Sequence, residues 1–169
     1  MVKRMSSNRF LWLALGVIVG SLSSGILPQA PLYGSATHGQ EGFAICTGPL
    51  TDSIEGVYVL DYLTGELRGA GLSIFGKFTS TYQYNILKDF EASKSPKFLM
   101  VTGVADLRPT GQKLKMGRSV VYVAEVNSGF VAAYGVPFDP SAQSQGRGVS
   151  ASFIPLDAAK FRDVKIRPE

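Results

Sequence analysis

Residues 10 to 27 (FLWLALGVIVGSLSSGIL) form one uncharged, largely apolar run, whereas beyond residue 42 apolar positions come in short stretches broken by Gly, Asn, Asp and Thr. The first pattern predicts a helix, stopped by Pro28 and Pro31. The second predicts β-strands joined by tight turns. Residues 1 to 36 are therefore set apart as a targeting segment, 37 to 42 as a linker, and 43 to 169 as one β domain.

Inside that domain the pattern repeats. Phe43-Ala44-Ile45-Cys46-Thr47-Gly48 matches Phe98-Leu99-Met100-Val101-Thr102-Gly103 at an offset of 55. A second block, beginning Val57-Tyr58-Val59-Leu60-Asp61, matches Val121-Tyr122-Val123-Ala124-Glu125 at an offset of 64. The difference of 64 − 55 = 9 residues places an insertion in the second copy, around Arg108 to Arg118. The two repeats, 43 to 75 and 98 to 138, are each predicted as strand, loop, strand, turn and strand. The expected fold is mainly β: a duplicated antiparallel meander, sandwich-like or blade-like, with one short helix, preceded by an N-terminal hydrophobic helix.

The turns carry the clearest local signal. Gly65 and Gly129 stand where a hairpin loop needs positive φ, and Asp61 and Asn127 are short polar side chains suited to holding turn N–H groups. In the strand before the first turn, Val57 and Val59 share one face while Tyr58 and Leu60 share the other, so both faces are apolar and both are expected to be covered. Lys77 to Tyr84 predicts a further strand between the repeats. Asn85 then caps a short helix carrying Ile86, Leu87 and Phe90, which ends by Pro96. Residues 137 to 148 read as loop, 149 to 154 as a closing strand, and 156 to 169 as a last turn and strand.

Composition supports a folded domain: 45% of the 169 residues are hydrophobic and 18% charged. The formal charge of +4 comes from 17 basic and 13 acidic residues, but Lys3, Arg4 and Arg9 precede the apolar run and no acid precedes Glu41. Residues 37 to 169 thus hold 14 basic and 13 acidic side chains, a net +1, which offers nucleic acid no electrostatic footprint. The basic n-region followed by an apolar core, with Gly34-Ser35-Ala36 as a small-x-small cleavage pattern, reads either as a signal peptide or as a retained transmembrane helix. Either way residues 37 to 169 lie outside the cytoplasm, in the periplasm or on the outer face of the cytoplasmic membrane.

Chemistry is sparse. Cys46 is the only cysteine, which excludes an internal disulfide and a cysteine metal cluster, and its neighbours mark it as a buried strand residue. His38 is the only histidine and falls in the linker, so no rigid nucleophile-base pair is expected. No phosphate-binding or nucleophile-elbow motif occurs. The expectation is a non-enzymatic protein with no catalytic residue, no cofactor and no metal. The alternative is a carbohydrate-active or calcium-dependent envelope enzyme using Asp61 and Glu125, which needs the two carboxylates to converge. Arg108, Lys113, Lys115 and Arg118 cluster in the inserted loop as a contact for an anionic partner, against their plainer reading as a solvated loop.

The phrase Val57-Tyr58-Val59-Leu60-Asp61-Tyr62-Leu63-Thr64-Gly65-Glu66-Leu67 resembles the hairpin of a quinoprotein-type β-propeller blade. The whole chain resembles a group of small exported proteins of planctomycete-type bacteria, through its apolar N-terminus and through LDYLTGELR (60 to 68), GKFTSTYQYNIL (76 to 87), FLMVTGVADLR (98 to 108) and VVYVAEVNSGFVAAYGVPF (120 to 138), which span nearly all of the mature region. That resemblance implies a fold and an exported location, and no activity. The expected role is an interaction or structural module of the envelope. Its expected partners are an envelope protein or polymer, further copies through strand edges, and a membrane through the N-terminal segment.

Overall fold

The computed structural model describes residues 7–24, 37–39, 42–90, 96–108 and 115–162. The chain divides into two compact units, Met1–Leu32 and Tyr33–Glu169. The first contains helix α1 (Ser7–Ser24). Among the described residues no helix is long and apolar enough to cross a membrane. The expected transmembrane reading covers residues 10 to 27 and so runs past Ser24 into 25 to 27, which lie outside the described residues. The small-x-small pattern at 34–36 lies outside the described residues.

The second unit is mainly β. Its elements are β1 (Thr37–Gly39), β2 (Phe43–Pro49), β3 (Glu55–Asp61), β4 (Glu66–Leu72), β5 (Phe78–Asn85), β6 (Phe98–Val104), β7 (Lys115–Glu125), β8 (Phe130–Phe138), helix α2 (Pro140–Ser144), β9 (Val149–Ser152) and β10 (Ile154–Lys160). One sheet has the order β1-β2-β3-β4-β5-β9 and the other β10-β8-β7-β6. Both are open, and they enclose a single core containing Tyr58, Leu60, Leu67 and Tyr82 from the first and Met100, Val121, Val123 and Tyr134 from the second. Burying these side chains is the main favourable term, at roughly 1.5–3 kcal/mol for each large one.

The two predicted repeats adopt the same ladder register. Cys46 lies opposite Tyr58 as Val101 lies opposite Tyr122, and Phe43 opposite Asp61 as Phe98 opposite Glu125. On the next ladder Tyr58 faces Gly69 and Val57 faces Ala70, matched by Tyr122 with Ala133 and Val121 with Tyr134. The correspondence extends past the predicted three strands: β5 borders β4 as β10 borders β8, with Leu67 opposite Tyr84 and Val131 opposite Ala159. Each sheet is thus built on a four-stranded antiparallel meander.

Several local expectations change. Residues 37 to 39, expected as linker, form an edge strand with His38 opposite Ile45, because the chain can complete β2's free edge. The helix after Asn85 is a single 3-10 turn over Ile86–Lys88, and Asn85 caps it by accepting the Leu87 N–H at 3.0 Å. The loop expected over 137 to 148 contains α2, whose start is held by Asp139 accepting the N–H groups of Ser141 and Ala142. The closing strand expected over 149 to 154 is β9, and the last strand expected within 156 to 169 is β10, which starts already at Ile154. The two lie in different sheets, and β9 pairs with β5 in parallel, the one departure from antiparallel order among the described residues. Phe153, between them, enters the core against Tyr58 and Tyr82, with ring centroids 6.0 and 5.8 Å away.

The insertion in the second repeat is partly strand. Lys115 and Met116 extend β7 and pair with Phe138 and Pro137, and the register shifts before Val120. Such a shift is how a ladder absorbs extra residues without losing the pairing beyond them.

Candidate functional site

With only two layers, each sheet is covered on one face, which corrects the expectation that β3 is covered on both. Tyr58 and Leu60 are buried, while Val57 and Val59 on the opposite face are half-exposed. The buried face differs between the repeats. Ala44, Cys46 and Tyr58 point into the core, yet their counterparts Leu99, Val101 and Tyr122 point out of it. Conversely Phe43 and Ile45 point out, and their counterparts Phe98 and Met100 point in. Identical pleats thus present opposite faces to one another.

The outcome is two open faces of uneven character. The outer face of the second sheet carries Leu99, Val101, Tyr122, Ala124, Val131 and Ala133, with Leu99 61% and Val101 50% exposed. An apolar surface of this kind on regular strands marks an interaction site more often than chance exposure does. The outer face of the first sheet is apolar along β2 and β3, where Phe43 is 50% exposed, and polar along β4 and β5. A shallow depression of about 570 Å³ on it is lined by Phe43, Val59, Asp61, Leu63, Glu66 and Arg68, among others. Arg68 is already matched there by Glu66 at 2.6 Å.

The two turns are built alike. The Gly65 N–H donates to the Asp61 carbonyl and the Gly129 N–H to the Glu125 carbonyl, both at 2.9 Å, with φ at 66° and 69°. The Asp61 carboxylate accepts the N–H groups of Leu63 and Thr64 at 2.8 and 3.1 Å. In the second turn that task falls to Glu125, which accepts from Asn127 at 3.1 Å and Ser128 at 2.7 Å, and also from Lys97 at 3.2 Å. The Asn127 N–H is therefore a donor to the acid. Sequence reasoning missed Glu125 in this role because its longer side chain departs from the Asp-type turn pattern. The signal that finds it is its alignment with Asp61.

The acids do not converge. Asp61 lies on the outer face of the first sheet, while Glu125 is only 2% exposed and lies between the sheets. Both carboxyls are held below the usual range. For Asp61 the Thr64 and Leu63 N–H groups are the cause. For Glu125 burial pushes upward, but hydrogen bonds from Ser128, Asn127 and Lys97 outweigh it and hold the group at about 2. Carboxylates so engaged with their own backbone are turn fasteners. Among the described residues no three or more His, Cys, Asp or Glu side chains stand ready to hold a metal.

The basic cluster is likewise partly committed. Arg118 forms ion pairs with Asp52 and Asp106 and contacts them from β7, while Lys115 and Arg108 are exposed. Lys113 lies outside the described residues. The Cys46 thiol is buried and pushed up to about 12 by that burial, against a lowering contact with Thr102, which suits a packing role. One polar residue escaped the sequence reading: Asp89 bridges the sheets, accepting the Tyr84 hydroxyl at 3.1 Å and the Tyr134 hydroxyl at 2.9 Å. Burial and then Asp89 raise the Tyr134 hydroxyl above its ordinary value. Compared with known proteins, the chain matches no family model, no curated protein and no solved structure.

Proposed function

We propose that the chain is exported by its N-terminal segment and serves outside the cytoplasm as a non-catalytic interaction module, with the open sheet faces as its working surface. The observation that carries this reading is the outer face of the second sheet, where Leu99, Val101 and Tyr122 stand exposed on a regular ladder. Leaving such side chains in water forgoes roughly 1.5–3 kcal/mol of burial for each large one, a cost that a partner removes. Export is supported by the basic n-region, the apolar run that follows it and the small-x-small pattern at 34 to 36. The engagement of Asp61 and Glu125 with their own turns supports binding over acid-base chemistry.

The test is fractionation of cells producing the full chain with a C-terminal tag, combined with N-terminal sequencing and chemical crosslinking. The expected product begins at Thr37, is recovered outside the cytoplasm, and crosslinks into a larger species that a Leu99→Glu, Val101→Glu double variant abolishes. Recovery from the cytosol with an intact N-terminus defeats export. Crosslinking untouched by the double variant defeats the assignment of the working surface.

A further inference from the structure

We infer that this chain stacks head to tail on copies of itself, the outer face of the second sheet in one copy packing on the outer face of the first sheet in the next, until a ring closes. The inference rests on the interaction-module reading for the location of the surface and goes beyond it by naming the partner.

One such face-to-face contact is already present within a single chain. There the first sheet contributes the face of Ala44, Cys46 and Tyr58, and the second contributes the face of Phe98, Met100 and Val121. At the repeat offsets, the free face of the second sheet (Leu99, Val101, Tyr122) is the counterpart of the first of these. The free face of the first sheet (Phe43, Ile45, Val57) is the counterpart of the other. Each copy therefore exposes both halves of an interface that it also forms internally.

The internal contact joins unlike faces. A sandwich whose halves buried the same face would be complete after one contact, whereas a contact between unlike faces always leaves one of each kind over. Head-to-tail contacts of that type form rings when the rotation closes and filaments when it does not. Radial arrays of four-stranded meanders typically hold about four to eight sheets, which at two sheets per chain is about two to four copies.

Polar groups on the free faces fit the same contact. Inside the chain the Thr102 hydroxyl donates to the Thr47 carbonyl across the two sheets. Thr47 is the counterpart of Thr102 and sits half-exposed on the free face, in place to donate to a neighbour's Thr102 carbonyl. Glu125 is buried in the internal contact with three N–H donors on its carboxylate. Its counterpart Asp61 already holds two on one carboxylate oxygen, which offsets part of the cost of covering it.

The test uses sedimentation of the full chain in a mild non-ionic detergent, alone and as Leu99→Glu and Phe43→Glu variants. The expected wild type is one discrete species of two to four copies. Each variant alone is expected to be a monomer, and an equimolar mixture of the two to be a one-to-one dimer, because each supplies the face the other lacks. A monomeric wild type overturns the inference, as does unlimited growth, association unaffected by either variant, a single variant that dimerises alone, or a mixture that does not combine. Both positions are exposed, so each monomeric variant should still melt cooperatively, below the assembled wild type by what the lost contacts contributed; if either variant unfolds, Val101→Lys and Ile45→Lys replace the pair. A monomeric wild type whose crosslinking to other envelope components still depends on Leu99 and Val101 sinks the ring and leaves the module reading standing.

Discussion

The hairpin turns at 61–66 and 125–130 share nearly every hydrogen bond and differ in where their acid points. In both, a glycine N–H closes on the acid's carbonyl, and a hydroxyl, Thr64 or Ser128, accepts the next N–H at 3.3 or 3.2 Å. In both, the glycine carbonyl accepts from the following segment, from Ile86 at 2.9 Å and from Phe161 at 2.8 Å. Yet Asp61 opens outward and Glu125 inward, because opposite faces of equivalent sheets are covered. Turn chemistry is thus decided locally, whereas the energy that depends on it is decided by the neighbouring layer. The extra methylene of Glu125 has a use in that setting: it lets the carboxylate reach the Lys97 N–H as well.

Removing the two carboxylates breaks the comparison most sharply. Glu125→Ala strands three N–H donors next to a dry core and is expected to cost about 4 kcal/mol, with Glu125→Gln near half of that because one acceptor oxygen survives. In the Phe43→Glu background, where that face is open, Asp61→Ala leaves its donors in water and should lower the urea midpoint by less than half as much. Urea unfolding of the three variants checks the order, and equal losses at the two sites would erase the distinction between the turns.

Acid should reveal the same asymmetry without mutation. The folded Glu125 carboxyl is depressed from an ordinary 4.5 to about 2. A depressed carboxyl contributes stability that is fully present above the unfolded pKa and disappears as pH falls through the folded one. The window is therefore about 4.5 down to 2, and the loss is on the order of 3 kcal/mol. Unfolding free energies measured across that window should slope in wild type and flatten in Glu125→Gln. A slope unchanged by that substitution would assign the acid sensitivity elsewhere.

Much of this frame is legible in the residues themselves, and the illegible part has a physical cause. Strands β2, β3 and β6 to β8 and both glycine turns announce themselves through β-branched and aromatic runs ended by Thr-Gly or Ser-Gly, repeated at fixed offsets. The covered face does not, because Val57-Tyr58-Val59-Leu60 is apolar in both registers of the pleat, and only the second sheet breaks that tie. The fourth strand is legible as a strand in both places, but its part in the repeat is hidden for another reason. Tyr82 and Tyr84 of β5 correspond to Asp157 and Ala159 of β10, so the ladder repeats where the sequence does not. Helix α2 did carry a signal in Asp139 as cap and Pro140 at the first helical position, overshadowed by the surrounding polar composition. Of the basic cluster, what remained unread was Arg118's commitment to Asp52 and Asp106, acids distant or unmarked in the chain.

The turn glycines sharpen the comparison at smaller cost. Both need the left-handed region, so alanine strains each by about 1 kcal/mol. The surroundings then separate them. A Cβ at Gly65 meets the Cγ and both methyl carbons of Leu87, a side chain that can move, whereas one at Gly129 meets Arg162, including its backbone N and Cα at 3.0 Å. Gly129→Ala should therefore lose about 2 kcal/mol and Gly65→Ala about 1. Thermal denaturation ranks them, and the reverse order would mean that the segment after β10 yields more easily than the 3-10 turn.

The gentlest probe leaves stability nearly unchanged and asks only which face of equivalent strands meets solvent. Cys46 and Val101 hold the same place in the two ladders, one inside and one out. A thiol reacts as the thiolate, and burial that pushes Cys46 to about 12 leaves almost none at pH 8. In the Phe43→Glu background, which is expected to be monomeric, a Cys46→Ala, Val101→Cys chain should label at least about a hundredfold faster than the native cysteine. Without Phe43→Glu the new thiol should be shielded, since its face is then covered by a neighbouring copy. Equal rates for Cys46 and the introduced thiol would mean that the two sheets bury the same face after all, and the pairing of unlike faces would have to be abandoned.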